Sequence, residues 1–195
     1  MVPMPFSEPA TLDAEARRLL LEVAWESLRH GLARGAPLTP DPADFPEPLR
    51  AHRAAFVTLN HFHSLRGCIG HLEPCAPLVL DVAENAFAAA FRDPRFPRLE
   101  PWELDGLTLD ISVLSIPEPM RFRDEQDLLR QLRPGVDGLI LADGAARGTF
   151  LPSVWESLPT PREFLNHLKG KAGLPGGYWS PTLRVSRYHT ESFGD

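Results

Sequence analysis

Proline divides this chain into short segments, with 21 prolines among 195 residues. Many lie singly between apolar stretches, so they stiffen the connections between elements and do not form one disordered tract. Pro74 and Pro77 precede an alanine-rich apolar segment, residues 78–91, and Pro94 and Pro97 follow it. Because proline cannot continue a helix, the segment is predicted to be one largely buried helix with fixed ends.

The remaining periodicity predicts strands that pair as hairpins. Residues 107–115 alternate apolar and polar side chains, which is typical of a strand with one buried face. Residues 54–59 and 65–69 are predicted to pair across a polar turn at 60–64, and Asp143-Gly144 marks a second hairpin. Further predicted elements are helices over 13–32, 124–132 and 161–172, and a last strand over 183–188. We therefore expect an α+β fold, with a mainly antiparallel sheet flanked by helices.

Composition excludes several classes of protein. A net charge of −6 argues against a nucleic-acid-binding surface over the whole protein. Two cysteines do not make a disulfide framework, and no apolar stretch is long enough to span a bilayer. Residues 1–10 lack the basic region and the apolar run of a signal peptide. These features predict a single cytoplasmic domain that binds neither membranes nor nucleic acids.

One cysteine lies in a segment suited to chemistry. Cys68 stands between Gly67 and Gly70, and Arg66 lies two residues before it, on the same face of an extended strand. A nearby cation favours the thiolate, and glycines let a backbone approach a ligand closely. We predict that Cys68 is catalytic, that Arg66 stabilises its thiolate or an anion, and that both glycines bind ligand. The alternative is a buried, inert cysteine, which is the commoner fate of free cysteines.

Acidic and basic residues near this segment are further candidates. Glu84 is predicted to accept a proton in the reaction, and Glu73 is a second candidate acid. Asp93 and Arg95 follow the predicted buried helix and are predicted to face a ligand. The alternative is that these two pair with each other while Phe96 fills the core.

Histidines surround the same segment. His61, His63 and His71 together with Cys68 offer zinc-binding side chains, but their spacing matches no standard zinc site. A polar hairpin turn also tolerates histidine. We therefore predict no metal ion.

Several motifs occur in a fixed order along almost the whole chain. The most specific is Leu-Arg-Gly-Cys-Ile-Gly at 65–70, and Asp-Pro-Arg-Phe occupies 93–96. The others are at 56–59, 84–90, 111–115, 135–138, 150–152 and 171–174. Together they resemble the AMMECR-type domain family, whose bacterial members are called AmmeMemoRadiSam system protein A. Residues 60–64 depart from the family pattern, because His61 and His63 are not part of it.

The resemblance implies an α+β fold of two unequal subdomains with a cleft between them. The smaller would comprise about 54–80 and 175–195, and the larger the remainder. The resemblance also implies association with a Memo-type protein, related to extradiol dioxygenases, and with a radical SAM protein. It implies no cofactor and no assigned reaction for the domain itself.

Two functions fit these residues. The first is a cysteine-dependent enzyme or enzyme subunit that acts with the Memo-type and radical SAM partners in a modification or redox pathway. The second is a non-catalytic adaptor that binds a small molecule or a protein, in which the glycines shape a cleft and Cys68 only packs.

Overall fold

The structure is a computed structural model that describes residues 11–195. Residues 1–10, where the sequence predicts no signal peptide, lie outside the described residues. The chain forms two compact units. Unit 1 contains the described residues up to Leu114 together with Glu191–Asp195, and unit 2 is Ser115–Thr190.

The elements follow the predicted order closely. The helices in the described part of the chain are α1 (Ala14–Arg34), α2 (Glu47–Arg50), α3 (Leu78–Phe91), α4 (Glu125–Gln131) and α5 (Pro161–Lys171). The strands are β1 (Ala55–His61), β2 (Ser64–Gly70), β3 (Leu107–Leu114), β4 (Glu118–Pro119), β5 (Gly138–Asp143), β6 (Ala146–Phe150), β7 (Arg184–Tyr188) and β8 (Thr190–Gly194). Short 3₁₀ turns occur at Pro42–Asp44, Pro101–Leu104 and Pro152–Glu156. Within residues 11–195 no helix is long and apolar enough to cross a bilayer.

Unit 1 packs helices on one face of a four-stranded sheet with the strand order β2-β1-β3-β8. Burial alternates along β1 and along most of β3, so that Val57, Leu59 and Ile111 are fully buried in a core shared with α1 and α3. The residues between them, such as Thr58 and Asp110, point to the opposite face. We call this opposite, polar face the outer face of the sheet.

Unit 2 has a second four-stranded sheet, with the order β4-β7-β5-β6, and its own core. Trp155 stacks on Phe164 at 3.8 Å between ring centroids, and the indole of Trp155 donates to the carbonyl of Asp137 at 2.7 Å. Leu141 and Val185 contribute from paired strands. The unit therefore encloses apolar side chains drawn from helices as well as strands.

The predicted α+β class is confirmed, and α3 spans the predicted residues 78–91. Several details differ from the expectations. The strands form two sheets, and α2, β4 and β8 were not anticipated. The turn between β1 and β2 is shortened to Phe62 and His63, both with positive φ.

The observed units also divide the chain differently from the predicted subdomains. Residues 54–80 lie in unit 1 with the two long helices, because β1 and β2 pack on α3. Residues 175–190 lie in unit 2, because β7 pairs with β5.

Candidate functional site

Cys68 lies on β2, an edge strand of the unit 1 sheet, opposite Thr58 on β1. Because Thr58 alternates with the buried Val57 and Leu59, both Thr58 and Cys68 point to the outer face. Cys68 is only partly buried. Its side chain therefore lies on the polar side of the sheet, away from the apolar core.

The thiol has a hydroxyl partner. Thr58 Oγ1 donates to Cys68 Sγ at 3.3 Å. The Cβ atoms of directly opposed residues in an antiparallel pair lie about 4.5–5.5 Å apart. The hairpin register therefore places the Thr58 hydroxyl next to the Cys68 sulfur. Hydrogen bonding to the charged form of a group favours that form, so a hydroxyl donor of this kind favours a thiolate.

The backbone of Cys68 is fixed by the loop after α3. Its N–H donates to Asp93 Oδ2 at 2.9 Å, and its carbonyl accepts from Arg95 Nη2 at 3.2 Å. Asp93 and Arg95 are also paired with each other at 2.6 Å. The two side chains thus take the place of a neighbouring strand at the free edge of β2, which protects that edge.

Electrostatics keep this clamp charged. The hydrogen bond from Arg95 holds the pKa of Asp93 well below its usual range, although burial of the carboxyl opposes this. The pKa of Arg95 is raised, chiefly by the same hydrogen bond and further by Coulombic attraction to Asp93, although desolvation opposes this. Arg95 reaches the cysteine segment through the Cys68 carbonyl. Asp93 and Arg95 do pair with each other, as one of the two alternatives for this loop expects, and the expectation that they face a ligand stays a prediction.

Arg66 differs from the expectation. Its guanidinium makes a bidentate pair with Glu103, with Nε at 2.6 Å and Nη2 at 2.9 Å from the carboxylate oxygens. Both side chains are buried, and Arg66 lowers the pKa of Glu103. Nη1 has no hydrogen-bond acceptor among residues 11–195, and the Phe96 ring centroid lies 6.0 Å from the guanidinium carbon. Arg66 was expected to stabilise the thiolate or an anion, but its guanidinium is paired with the buried carboxylate of Glu103.

Glu84 is not brought to the cysteine. It lies on α3, which covers the inner face of the sheet, whereas Cys68 points to the outer face. Its carboxylate pairs with Arg92 at 2.7 Å. The predicted proton acceptor is therefore separated from the thiol by the sheet.

The two glycines of the motif leave space for neighbouring groups that a side chain would displace. A Cβ on Gly67 would lie 2.1 Å from the carbonyl oxygen of Ala89, so only glycine allows β2 to approach α3 this closely. A Cβ on Gly70 would lie 2.3 Å from the Phe56 ring. Gly67 therefore packs against a helix and is closed to a ligand, in contrast to its predicted binding role. Gly70 makes room for an aromatic ring two residues from Cys68.

The histidines do not converge on Cys68. His61 Nε2 lies 3.0 Å from the Asp105 carbonyl, and His63 forms the exposed turn. His71 lies beyond the other end of β2, where Nδ1 is 2.6 Å from Asp81 Oδ1. No group of three or more His, Cys, Asp or Glu residues within residues 11–195 could hold a metal ion.

Sequence reasoning missed Thr58, Glu103 and Asp81. Thr58 could have been found from the hairpin register, once the turn was known to contain two residues. No local signal marks Glu103, which reaches Arg66 from 37 residues away. Asp81 looks like an ordinary first-turn helix residue, and its partner His71 lies in a loop.

Comparisons with known proteins agree with the fold and the motifs. The AMMECR1 family profile matches residues 21–193. A protein of Methanothermobacter thermautotrophicus is 40% identical over 190 residues, covering 94% of this chain and 96% of its own length. A Thermotoga maritima protein is 41% identical over 162 residues, covering 82% of this chain and 87% of its own length.

A solved structure has the same fold. The crystal structure of the uncharacterized protein PH0010 from Pyrococcus horikoshii superimposes with a TM-score of 0.80 and 34% sequence identity. The match covers 91% of this chain and 90% of that one. With the profile match across most of its length, the chain belongs to the AMMECR1 family.

Proposed function

We propose that the protein is a cysteine-dependent enzyme or enzyme subunit, with Cys68 as its nucleophile. The observation that supports this most is the environment of the sulfur. The thiol is partly exposed and accepts a hydrogen bond from Thr58, and the carbonyl of the same residue accepts from the Arg95 guanidinium. A hydroxyl donor and a guanidinium both stabilise a thiolate, which is the nucleophilic form of cysteine.

The chemistry assigned to each side chain is limited. Cys68 would attack an electrophilic centre, Thr58 would stabilise the charge on sulfur, and Arg95 would hold the strand and attract an anionic substrate. Asp93 would keep Arg95 and the Cys68 backbone in place. We propose that the pathway also contains the Memo-type and radical SAM proteins that the family resemblance implies.

Alkylation rates test this function directly. In a Cys75→Ser variant, Cys68 is the only thiol, and its rate constant with iodoacetamide is measured against that of N-acetylcysteine. We expect Cys68 to react faster near neutral pH, and Thr58→Val to slow it several-fold. Thr58→Ser is the matched control, because it keeps the hydroxyl and should keep the rate. A rate below that of N-acetylcysteine and unchanged by Thr58→Val would refute the proposal.

A second candidate function is a protein-binding adaptor, and one surface favours it. Phe62 and Trp102 are 68% and 69% exposed, and Leu65 is also exposed on the same hairpin as Phe62. Phe62 holds a positive φ of 47°, which is costly for an aromatic residue, yet most of its surface stays exposed. Glu100 and Asp105 flank Trp102 in sequence, so we propose a Memo-type protein with a basic, apolar docking surface as the partner.

Binding measurements separate the two functions. We expect Trp102→Ser to weaken binding of the Memo-type protein from the same organism at least tenfold. Ile116→Ser is the matched control, since Ile116 is an equally exposed apolar residue of unit 2. Cys68→Ser should leave this affinity unchanged. Equal binding by the Trp102 and Ile116 variants would rule out the adaptor surface.

A further inference from the structure

A cavity lies at one end of the unit 2 sheet, where β5 turns into β6 and β7 begins. It has a volume of about 380 Å³ and is lined by Ala142, Asp143, Gly144, Thr182 and Arg184. All five residues belong to unit 2. Small-molecule sites in proteins have volumes of roughly 300–1,000 Å³. The cavity is therefore large enough for a small molecule, and neither the Cys68 site nor the surface around Trp102 includes it.

Hydroxyl groups hold the one carboxylate of the lining in place. Thr182 Oγ1 donates to Asp143 Oδ1 at 2.7 Å, and the Tyr178 hydroxyl donates to Asp143 Oδ2 at 2.9 Å. Ser180 Oγ accepts from the Thr182 N–H at 3.2 Å, which fixes the segment that carries these donors. A carboxylate accepts about four hydrogen bonds, so Asp143 keeps capacity for a further donor.

These hydrogen bonds also keep the carboxylate charged. The hydroxyl of Thr182, and next that of Tyr178, lower the pKa of Asp143 below its ordinary value, although desolvation opposes this. The positive charge of Arg184 lowers the pKa of Asp143 further. Asp143 is therefore ionised at neutral pH and close enough to Arg184 for the two charges to interact.

The Arg184 guanidinium has no partner of its own. Its side chain is exposed, and it makes no hydrogen bond and no ion pair within residues 11–195. Arg184 lies directly opposite Ala142 in the pairing of β5 with β7, and Asp143 is the next residue of β5. The two charged residues thus come from adjacent positions of paired strands, yet their side chains do not form an ion pair. The cavity presents a cation and an anion that stay apart.

The rest of the lining leaves the space between these charges open. Gly144 has a φ of 57°, a conformation that glycine adopts readily, and a Cβ on it would meet nothing within 4 Å. Ala142 contributes only a methyl group. A ligand in the cavity can therefore contact Asp143 and Arg184 at the same time.

We propose that this cavity binds a free amino acid, with the ligand carboxylate on Arg184 and the ligand ammonium group on Asp143. A guanidinium forms paired, charge-assisted hydrogen bonds with a carboxylate, and an ammonium group donates to an ionised acceptor. A simple anion such as phosphate fits less well, because the Asp143 carboxylate would repel it. A simple cation would be repelled by Arg184 in the same way. The site lies in unit 2, so it does not depend on Cys68 in unit 1.

Nuclear magnetic resonance titration tests the class of ligand. The whole protein is isotope-labelled, and its amide signals are followed as each of the common L-amino acids is added in turn. We expect at least one amino acid to bind and to shift the Gly144 signal. The N-acetyl derivative of that amino acid lacks the positive charge, and its amide lacks the carboxylate. Both should bind about tenfold more weakly or worse, because each loses one charge-assisted contact. If no amino acid shifts the Gly144 signal, or if both derivatives bind as well as the amino acid, the proposal is wrong.

Substitutions in the cavity assign the two contacts. Arg184→Gln should weaken binding of the amino acid about tenfold and remove the preference for the free carboxylate over the amide. Asp143→Asn should remove the preference for the free ammonium group over the N-acetyl derivative. Arg121→Gln is the matched control, because Arg121 is an exposed arginine of unit 2 outside the cavity lining.

The two variants differ in their risk to folding. Asp143 also binds Thr182 and Tyr178, so the fold of the Asp143→Asn protein is checked by urea unfolding. Arg184 is exposed and makes no contact of this kind, so Arg184→Gln keeps the test valid even if Asp143→Asn unfolds. Equal binding of the amino acid by the Arg184→Gln and Arg121→Gln proteins would overturn the proposal.

Discussion

Asp93 is the residue on which the cysteine segment depends most directly. Its buried carboxylate binds the Cys68 N–H and the Arg95 guanidinium at the same time. Arg95 in turn donates to the Cys68 carbonyl. A single carboxylate therefore connects the two most specific motifs of the sequence, and its ionisation should be visible in the stability of the fold.

Asp93→Asn should destabilise the protein by about 1–3 kcal/mol, because a charged acceptor of several hydrogen bonds is lost. The pKa of Asp93 is lowered on folding, so its contribution is present above the unfolded value and declines as pH falls below about 4. Urea unfolding at a series of pH values should show the two proteins converging in acid. Glu84→Gln, which breaks an exposed pair, is the control. A stability gap that stays constant down to strongly acidic pH would contradict this account.

The pair of Arg66 and Glu103 is a buried ion pair, and its members are not independent. Glu103→Gln should cost about 3–5 kcal/mol, because it leaves the buried guanidinium without its partner. The double variant Arg66→Met/Glu103→Leu should recover most of this loss, since it removes both charges. Urea unfolding of the single and double variants measures the coupling. Glu22→Gln, in an exposed pair with Arg18, should cost about 1 kcal/mol or less. A double variant no more stable than Glu103→Gln would contradict the prediction.

At this scale the sequence predicts which residues lie near Cys68 better than it predicts the partners of their side chains. Cys68, Asp93 and Arg95 were predicted and do lie together. The role given to Arg66 differs, because the carboxylate that captures its guanidinium is remote in sequence. Alternation along a strand predicts which face of the sheet a side chain lies on. Which of two possible partners the side chain then binds depends on tertiary packing.

The contact between β2 and α3 shows why this element carries glycine. Gly67 faces the backbone of Ala89, and the wide apolar surface of α3 is buried against the sheet on this side. β2 is an edge strand, so it is held by β1 on one side only and by the Asp93–Arg95 clamp on the other. Its position depends on close approach to the helix.

Gly67→Ala should therefore destabilise unit 1 by about 1–3 kcal/mol or more, because the methyl group would collide with a helix backbone that cannot rotate away. Gly170→Ala is the matched control. It lies in α5 with nothing within 4 Å of a new Cβ, so it should be neutral or stabilise by about 0.5–1 kcal/mol. Thermal unfolding measures the stability of both variants relative to the unmodified protein. Similar melting temperatures for the two would contradict the packing argument.

Element boundaries were predictable where proline or a capping residue marks them. α3 and the start of α5 agree with the expectations for this reason. The turn between β1 and β2 was not predictable, because two-residue turns with positive φ favour Asn-Gly and this one contains Phe62 and His63. β8 was missed because Thr190–Gly194 is short and contains one large apolar residue, Phe193.

The whole molecule is built as an insertion. The chain enters unit 2 at Ser115 and leaves it at Thr190, and the Ser115 N–H donates to the His189 carbonyl at 2.8 Å. The two crossing points of the chain are therefore side by side. Each unit has its own sheet and its own apolar core, which is the condition for folding independently.

We expect residues 115–190 expressed alone to fold. The core around Trp155 and Phe164 is complete within this segment, so urea unfolding should be cooperative and the stacked aromatic rings should give a near-ultraviolet circular dichroism signal. The complementary chain, in which 115–190 is replaced by a short glycine-rich turn, should keep the Cys68 alkylation rate of the full protein. This follows because Thr58, Asp93 and Arg95 all belong to unit 1. Trp155→Ala in the isolated segment is the control that should abolish its cooperative transition. A segment that shows no cooperative unfolding even with Trp155 intact would mean that the two cores stabilise each other.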